Sequence, residues 1–161
     1  MITNSIQLTP PTPNLQHLVR ITVHVDPPLL VGQTPLGERR IINITGGHFT
    51  GEKLRGVVLP GGADWQLVRP DGAALLEAKY TLRTDDGALI YVTNRGIRHG
   101  PPEVLARIAQ GELVDPARYY FRAAPSFETG ASAYAWLNDI VMVCSGVRTA
   151  DAVLLDFYAV T

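Results

Sequence analysis

Apolar residues in this chain come in short, β-branched runs that turn-forming residues interrupt at intervals of roughly ten positions. Residues 15–25 read LQHLVRITVHV and stop at Asp26, Pro27 and Pro28; residues 38–45, ERRIINIT, stop at Gly46 and Gly47. Runs of the same kind cover 53–59, 64–69, 73–83, 88–95, 118–124, 138–147 and 152–160. Period-two alternation bounded by Gly, Pro and Asp predicts strands joined by tight turns. One stretch, 102–110, has helical spacing instead. Pro101 and Pro102 suit its first turn, Glu103 complements the positive end of the dipole, Val104, Leu105 and Ile108 share a face, and Gly111 fits the exit. Pro10, Pro11 and Pro13 oppose both helix and ladder, so residues 1–14 read as a loose arm and 15–161 as one domain.

An all-β chain must hide its sheet edges, and many short strands with one helix suit a single antiparallel β-barrel. A barrel of about eight strands either holds one small ligand or is filled by its own side chains, and the pattern leaves both open. If Asp71-Gly72 and Asp86-Gly87 are two-residue hairpin turns, residue 70 faces 73 and residue 85 faces 88. One face then carries Trp65, Leu67, Leu76, Ala78, Tyr80, Leu82, Leu89, Tyr91 and Thr93, and the other Gln66, Val68, Glu77, Lys79, Thr81, Arg83, Ile90, Val92 and Asn94. The first is the more apolar and is expected to point inward, with Trp65 in the core. Asp64 then points outward, unless the Gly61-Gly62 turn or a bulge rotates it.

Composition narrows the classes. The chain has 161 residues, 46% hydrophobic and 18% charged, which fits a compact globule rather than a disordered one. The net charge of −1 offers no basic excess, which argues against nucleic acid as a partner. No apolar run approaches the roughly 18 residues of a membrane span. The first sixteen residues lack the charged and apolar regions of a signal peptide, so the expected location is the cytoplasm. Cys144, the one cysteine, lies in the strand-like VMVCSGV and reads as a buried, inert thiol. His17, His24, His48 and His99 lack metal-ligand spacing, Ser126 and Ser145 sit in no nucleophile elbow, and Gly46-Gly47 precede no phosphate-binding helix. No metal or cofactor is expected.

Several motifs, in their order and spacing, carry a resemblance. They are Gly46, Gly47, Phe49 and Gly51 (GGxFxG), Leu59 to Trp65 (LPGGADW), Asp86-Gly87, Phe121-Arg122, Phe127 to Thr129 (FET) and Trp136 to Asn138 (WLN). From about residue 15 onward the chain resembles a family of small bacterial proteins of unknown function. The resemblance implies a single β-barrel, similar in outline to barrels that guide ring closure of small molecules, such as allene oxide cyclase. It implies no established activity.

Asp64 beside Trp65, and Glu128 beside Phe127, are the carboxylates nearest aromatic rings. Desolvation there raises a carboxyl pKa and suits it to proton transfer; a carboxylate that merely accepts backbone N–H bonds at a turn fits the same sequence. Arg39, Arg40 and Arg122 lie in strand-like runs, and of the adjacent pair at most one faces inward. An inward arginine meets either an acidic side chain, as a structural pair, or an anionic ligand. Tyr134, Trp136 and Asn138 share a face if their segment is extended, as ligand wall or as core. Tyr80, Tyr91 and Tyr120 are candidate donors to a developing oxyanion, and nothing in the sequence selects among them.

Two main functions remain open. One is a cofactor-free lyase, isomerase or cyclase acting on a small aromatic or anionic compound, with Asp64 and Glu128 moving protons and Trp65, Arg40, Arg122, Tyr80, Trp136 and Asn138 holding the substrate. The other is a binding barrel without chemistry. A filled barrel serving as a structural or homo-oligomeric scaffold is the third.

Overall fold

The computed structural model describes residues 8–161. Residues 8–13 of the expected arm are exposed and without regular structure, and the rest of that arm lies outside the described residues. From residue 14 the chain is tied down: Asn14 and Thr161 exchange backbone hydrogen bonds of 2.7 and 2.9 Å. Ten strands follow: β1 (Leu15–Val25), β2 (Leu29–Thr34), β3 (Gly37–Thr50), β4 (Arg55–Val58), β5 (Ala63–Val68), β6 (Ala74–Thr84), β7 (Leu89–His99), β8 (Tyr120–Glu128), β9 (Val141–Arg148) and β10 (Ala152–Val160). The helix α1 spans Pro102–Ala109 and buries Val104 and Ile108, as its apolar spacing predicts.

All pairings are antiparallel, and the sheet closes on itself because β1 pairs with both β10 and β3. β4 and β5 lie end to end between β3 and β6, so the ten strands make an eight-stave barrel with β2 pairing β3 beyond the stretch that β1 occupies. Among the described residues, closure leaves only β2 as an edge, a short one. β2 has no counterpart in the sequence reading, which places no strand between Pro28 and Glu38.

Register decides which side chains meet inside, and here the structure corrects the expectation. Val68 pairs with Ala74, and Arg83 with Leu89. Both Asp-Gly dipeptides end three-residue loops rather than forming two-residue ones. Arg69 N donates to Ala73 O and Gly72 N to Arg69 O, both at 2.9 Å, with Gly72 at φ +85°. The second hairpin repeats this, with Thr84 N bonded to Ala88 O and Gly87 at φ +90°. This is a type I turn followed by a left-handed glycine bulge. The extra residue shifts each hairpin by one position and exchanges the faces of β5 and β7 relative to β6. Gln66, Val68, Ile90, Val92 and Asn94 therefore join Leu76, Ala78, Tyr80 and Leu82 inside, whereas Trp65, Leu89 and Tyr91 are exposed.

The interior is divided along its axis. One half is packed solid by Phe49, Leu82, Ile90, Val92, Met142 and Phe157, all essentially without exposure. The 3-10 helix Ser132–Asp139, between β8 and β9, adds the buried Leu137 at that end. The other half is lined and open. Its mouth is bordered by α1 and by the β1–β2, β5–β6 and β9–β10 connections, including Pro27, Gly72 and Thr149. The choice between a filled barrel and a hollow one thus resolves into both, in different halves.

Candidate functional site

The lined half begins with one row across the sheet: Ile42 pairs with Asp64, Asp64 with Ala78, and Ala78 with Asn94. The next row toward the mouth is Arg40, Gln66 and Leu76; the one beyond places Val68, Ala74 and Arg98 together. Side chains in such rows share a face, so Asp64, Gln66, Asn94, Arg40 and Arg98 all project inward.

The double glycine before Asp64 is explained by two separate constraints. Gly61 has φ +107°, a conformation other residues adopt at a cost. Gly62 passes so near β6 that a Cβ there would lie 2.5 Å from Lys79 O and 2.6 Å from Tyr80 Cβ. The pair lets β5 start tight against β6, which seats Asp64 beside Tyr80 within the barrel.

Asp64 is held by two hydrogen bonds. The Glu77 backbone N–H donates to Oδ1 at 2.9 Å and Gln66 Nε2 to Oδ2 at 3.2 Å. Protein surrounds the carboxyl on nearly all sides, and the surface left to it lines a cavity. Desolvation pushes its pKa above the usual carboxylate range, outweighing these two bonds and the more distant attraction of Arg98 and Arg148. Asp64 takes part in none of the ion pairs among the described residues.

The inner chamber is about 50 Å³ and opens to an outer one of about 610 Å³; the two share Ile42, Gln66, Arg98 and Arg148 as walls. The outer volume lies in the range of ordinary small-ligand sites. Tyr80 (3% exposed) and Asn94 (6%) line the inner chamber, and the Tyr80 hydroxyl and Asn94 Oδ1 have no hydrogen-bond partner. Burial pushes the Tyr80 phenol well above its ordinary pKa, so it stays protonated and remains a donor. Cys144 is buried nearby, its thiol pushed up to about 12, which leaves it inert as expected.

Of the residues proposed from sequence, the structure brings Asp64, Tyr80 and Arg40 to the two chambers. The other five lie elsewhere. Trp65 is 40% exposed on the outer wall, for the register reason above. Glu128 ends β8 on the outside, paired across the ladder with the exposed Tyr91. Arg122 is exposed, stacked 5.4 Å from the Tyr120 ring centroid. Trp136 and Asn138 lie on the 3-10 helix, not on an extended segment, and away from the mouth. Asn138 clips the chain: its Oδ1 accepts from Thr129 N at 2.9 Å and its Nδ2 donates to Thr129 O at 3.0 Å. Tyr91 and Tyr120 are also on the outer surface, which singles out Tyr80 among the tyrosines.

Sequence reasoning missed Gln66, Asn94, Arg98 and Arg148. The alternation Ile90, Val92, Asn94, Gly96, Arg98 carried the signal, because two β-branched residues lead into it. The strand expected there stops at residue 95, short of Arg98, and the one expected over 138–147 stops short of Arg148. Among the described residues no cluster of His, Cys, Asp and Glu is arranged to hold a metal, and no helix is long and apolar enough to cross a membrane.

A closed antiparallel barrel with a solid half and a polar-lined half defines a small chambered β-barrel protein. The chain belongs to a family of proteins of unknown function (DUF3237), whose model matches residues 13–160. A UPF0311 protein from Clostridium acetobutylicum is 45% identical over 149 residues, covering 92% of this chain and 94% of that one. Another from Bradyrhizobium diazoefficiens is 46% identical, covering 93% and 98%. A solved structure of a conserved protein of unknown function from Rhodopseudomonas palustris matches with TM-score 0.91 at 45% identity, over 94% of this chain and all of that one. A β-barrel-like protein from Acinetobacter baumannii matches at TM-score 0.85 and 44% identity, over 96% of this chain and 100% of that one. An enzyme from Penicillium herquei shares the fold at TM-score 0.72 and 22% identity, over 97% of this chain and 100% of that one.

Proposed function

We propose that the open half of the barrel binds a small organic molecule and that Asp64 moves a proton within it, in a cofactor-free lyase, isomerase or cyclase reaction. The observation that carries this reading is a desolvated carboxyl with no ion-pair partner, facing a chamber in which the Tyr80 hydroxyl and Asn94 Oδ1 lack hydrogen-bond partners. Buried polar groups are nearly always hydrogen-bonded, so two orphans beside an enclosed acid mark a place prepared for a guest. Ionised Asp64, made more basic by its surroundings, takes a proton from an acidic C–H or O–H of the substrate and returns it at another atom. The Tyr80 hydroxyl donates to the oxygen on which negative charge collects. The outer chamber holds the rest of the molecule and so orients the reacting atoms. An enzyme from Penicillium herquei has the same fold, so the architecture is compatible with catalysis.

A barrel that binds without chemistry is the second reading. It is favoured by the bonds from Glu77 N and Gln66, which already engage both oxygens of Asp64. A thermal-shift screen of small aromatic acids, keto acids and their neutral analogues, followed by product analysis, separates the readings. A ligand at one hundred times its Kd stabilises by about 2.7 kcal/mol. Turnover that vanishes in Asp64→Asn supports catalysis by Asp64; undiminished turnover removes Asp64 from the mechanism; binding without product in any case supports the carrier.

A further inference from the structure

Three arginines line the outer chamber, and they differ in what neutralises them. Arg40 Nε donates to Glu38 Oε1 at 2.8 Å. Arg98 and Arg148 take part in none of the ion pairs among the described residues. Arg98 has its Cζ 5.8 Å from the Phe121 ring centroid, and Arg148 spends one N–H on the Ala152 carbonyl at 3.0 Å. Each guanidinium carries five donors, most of them unused here. Both form walls common to the inner and outer chambers, so they sit where a guest would pass from one to the other.

Burial works against both charges. It lowers the Arg98 pKa to about 10 and that of Arg148 in the same direction, although Asp64 attracts both. Each arginine also repels the other. A partly buried like-charge pair of this kind is stabilised by an anion placed between its members. Asp151 also attracts Arg148, and Arg40, although paired with Glu38, still repels Arg98, yet among the described residues neither Arg98 nor Arg148 has an acid in ion-pair reach.

We infer that the guest is a small carboxylic acid, its carboxylate held in the fork of Arg98 and Arg148 and its body reaching toward Asp64. This rests on the proposed reading that the open half of the barrel takes a small organic molecule. Guanidinium matches carboxylate geometry with paired N–H donors, which a lysine at either position would not reproduce.

The test uses purified full-length protein and matched probes: phenylpyruvate, cinnamate and 1-naphthoate, each against its methyl ester, with inorganic phosphate as a further anion. Affinities are measured by calorimetry. For at least one pair the acid should bind tenfold or more tightly than its ester. Arg98→Gln and Arg148→Gln should each erase that preference while ester affinity stays within about threefold. Arg122→Gln, on the outer wall, should leave it intact. Arg148→Lys, which keeps the charge without the fork, should retain part of it and keeps the test decisive if a glutamine variant fails to fold. Esters binding as well as acids, a preference that survives both glutamine substitutions, or phosphate competing as strongly as the acids would overturn the inference while leaving a small-molecule barrel in place. If neither acids nor esters bind, the broader reading falls and takes this one with it.

Discussion

The backbone N–H of Glu77 donates to Asp64 at 2.9 Å, which fastens an acid on β5 to the neighbouring β6 while the Glu77 side chain turns outward to pair with Arg95. Burial nevertheless pushes the Asp64 pKa above its ordinary value, so the folded state holds this proton more tightly than the unfolded chain does. Its contribution to stability is therefore fully present below the unfolded-state pKa of about 3.9 and declines as pH rises through the higher folded value. Asp64→Asn keeps the shape and lacks the charge. Its melting temperature relative to wild type should climb as pH is raised from roughly 4 toward neutrality. A gap between the two proteins that stays flat with pH would show that Asp64 titrates alike in both states.

Tyr80 has a buried hydroxyl with no partner, and leaving such a group unsatisfied costs about 1–3 kcal/mol. Tyr80→Phe should therefore raise the unliganded protein's stability by about 1 kcal/mol in denaturant unfolding. The same change should cost a bound guest, or its turnover, about tenfold or more, because the guest loses its donor. Loss of stability in Tyr80→Phe would mean that the hydroxyl is already engaged.

Trp65 lies on the outer wall and Leu82 inside, although the two-residue-turn register puts both within one core face. Trp65→Ala should cost less than about 2 kcal/mol, and Leu82→Ala about 2–5 kcal/mol, the usual range for a core leucine. A Trp65→Ala cost of about 3–5 kcal/mol would restore the register in which it is core.

That pair also shows how far the chain can be read unaided. Strand content, closure, the helix at Pro102–Ala109 and the buried Cys144 follow from local patterns, and those are what short-range alternation and turn residues encode. The facing of Trp65 and Asn94 depended on whether Asp71-Gly72 and Asp86-Gly87 make loops of two residues or three. An Asp-Gly dipeptide serves either. Counting apolar residues compounded the error, since this barrel keeps Trp65, Leu89 and Tyr91 outside and polar groups inside near its mouth. Asn138 was legible as an amide but not as a clip on Thr129, because its segment coils as a 3-10 helix. Asp64 was found for its aromatic neighbour, yet Trp65 faces the other way; desolvation within the barrel is what raises its pKa.

Arg98 offers the sharpest contrast between what stabilises the fold and what would serve a site. It is enclosed near the barrel mouth, repelled by Arg148 and without an acidic partner in ion-pair reach, and its pKa falls to about 10. The Phe121 ring 5.8 Å away recovers part of the lost hydration, about 1 kcal/mol for a contact of this kind. Methionine has a similar length and no charge to desolvate, and exchanging buried charges for apolar groups is often neutral or stabilising by about 1–4 kcal/mol. Arg98→Met should thus melt at least as high as wild type, by a few degrees more if about 1 kcal/mol is gained in a chain of this size. A guanidinium kept purely for structure gives the opposite result, a clear drop in melting temperature. A rise in stability together with weaker binding of carboxylate probes would mark Arg98 as a residue whose charge the fold does not need and a guest does.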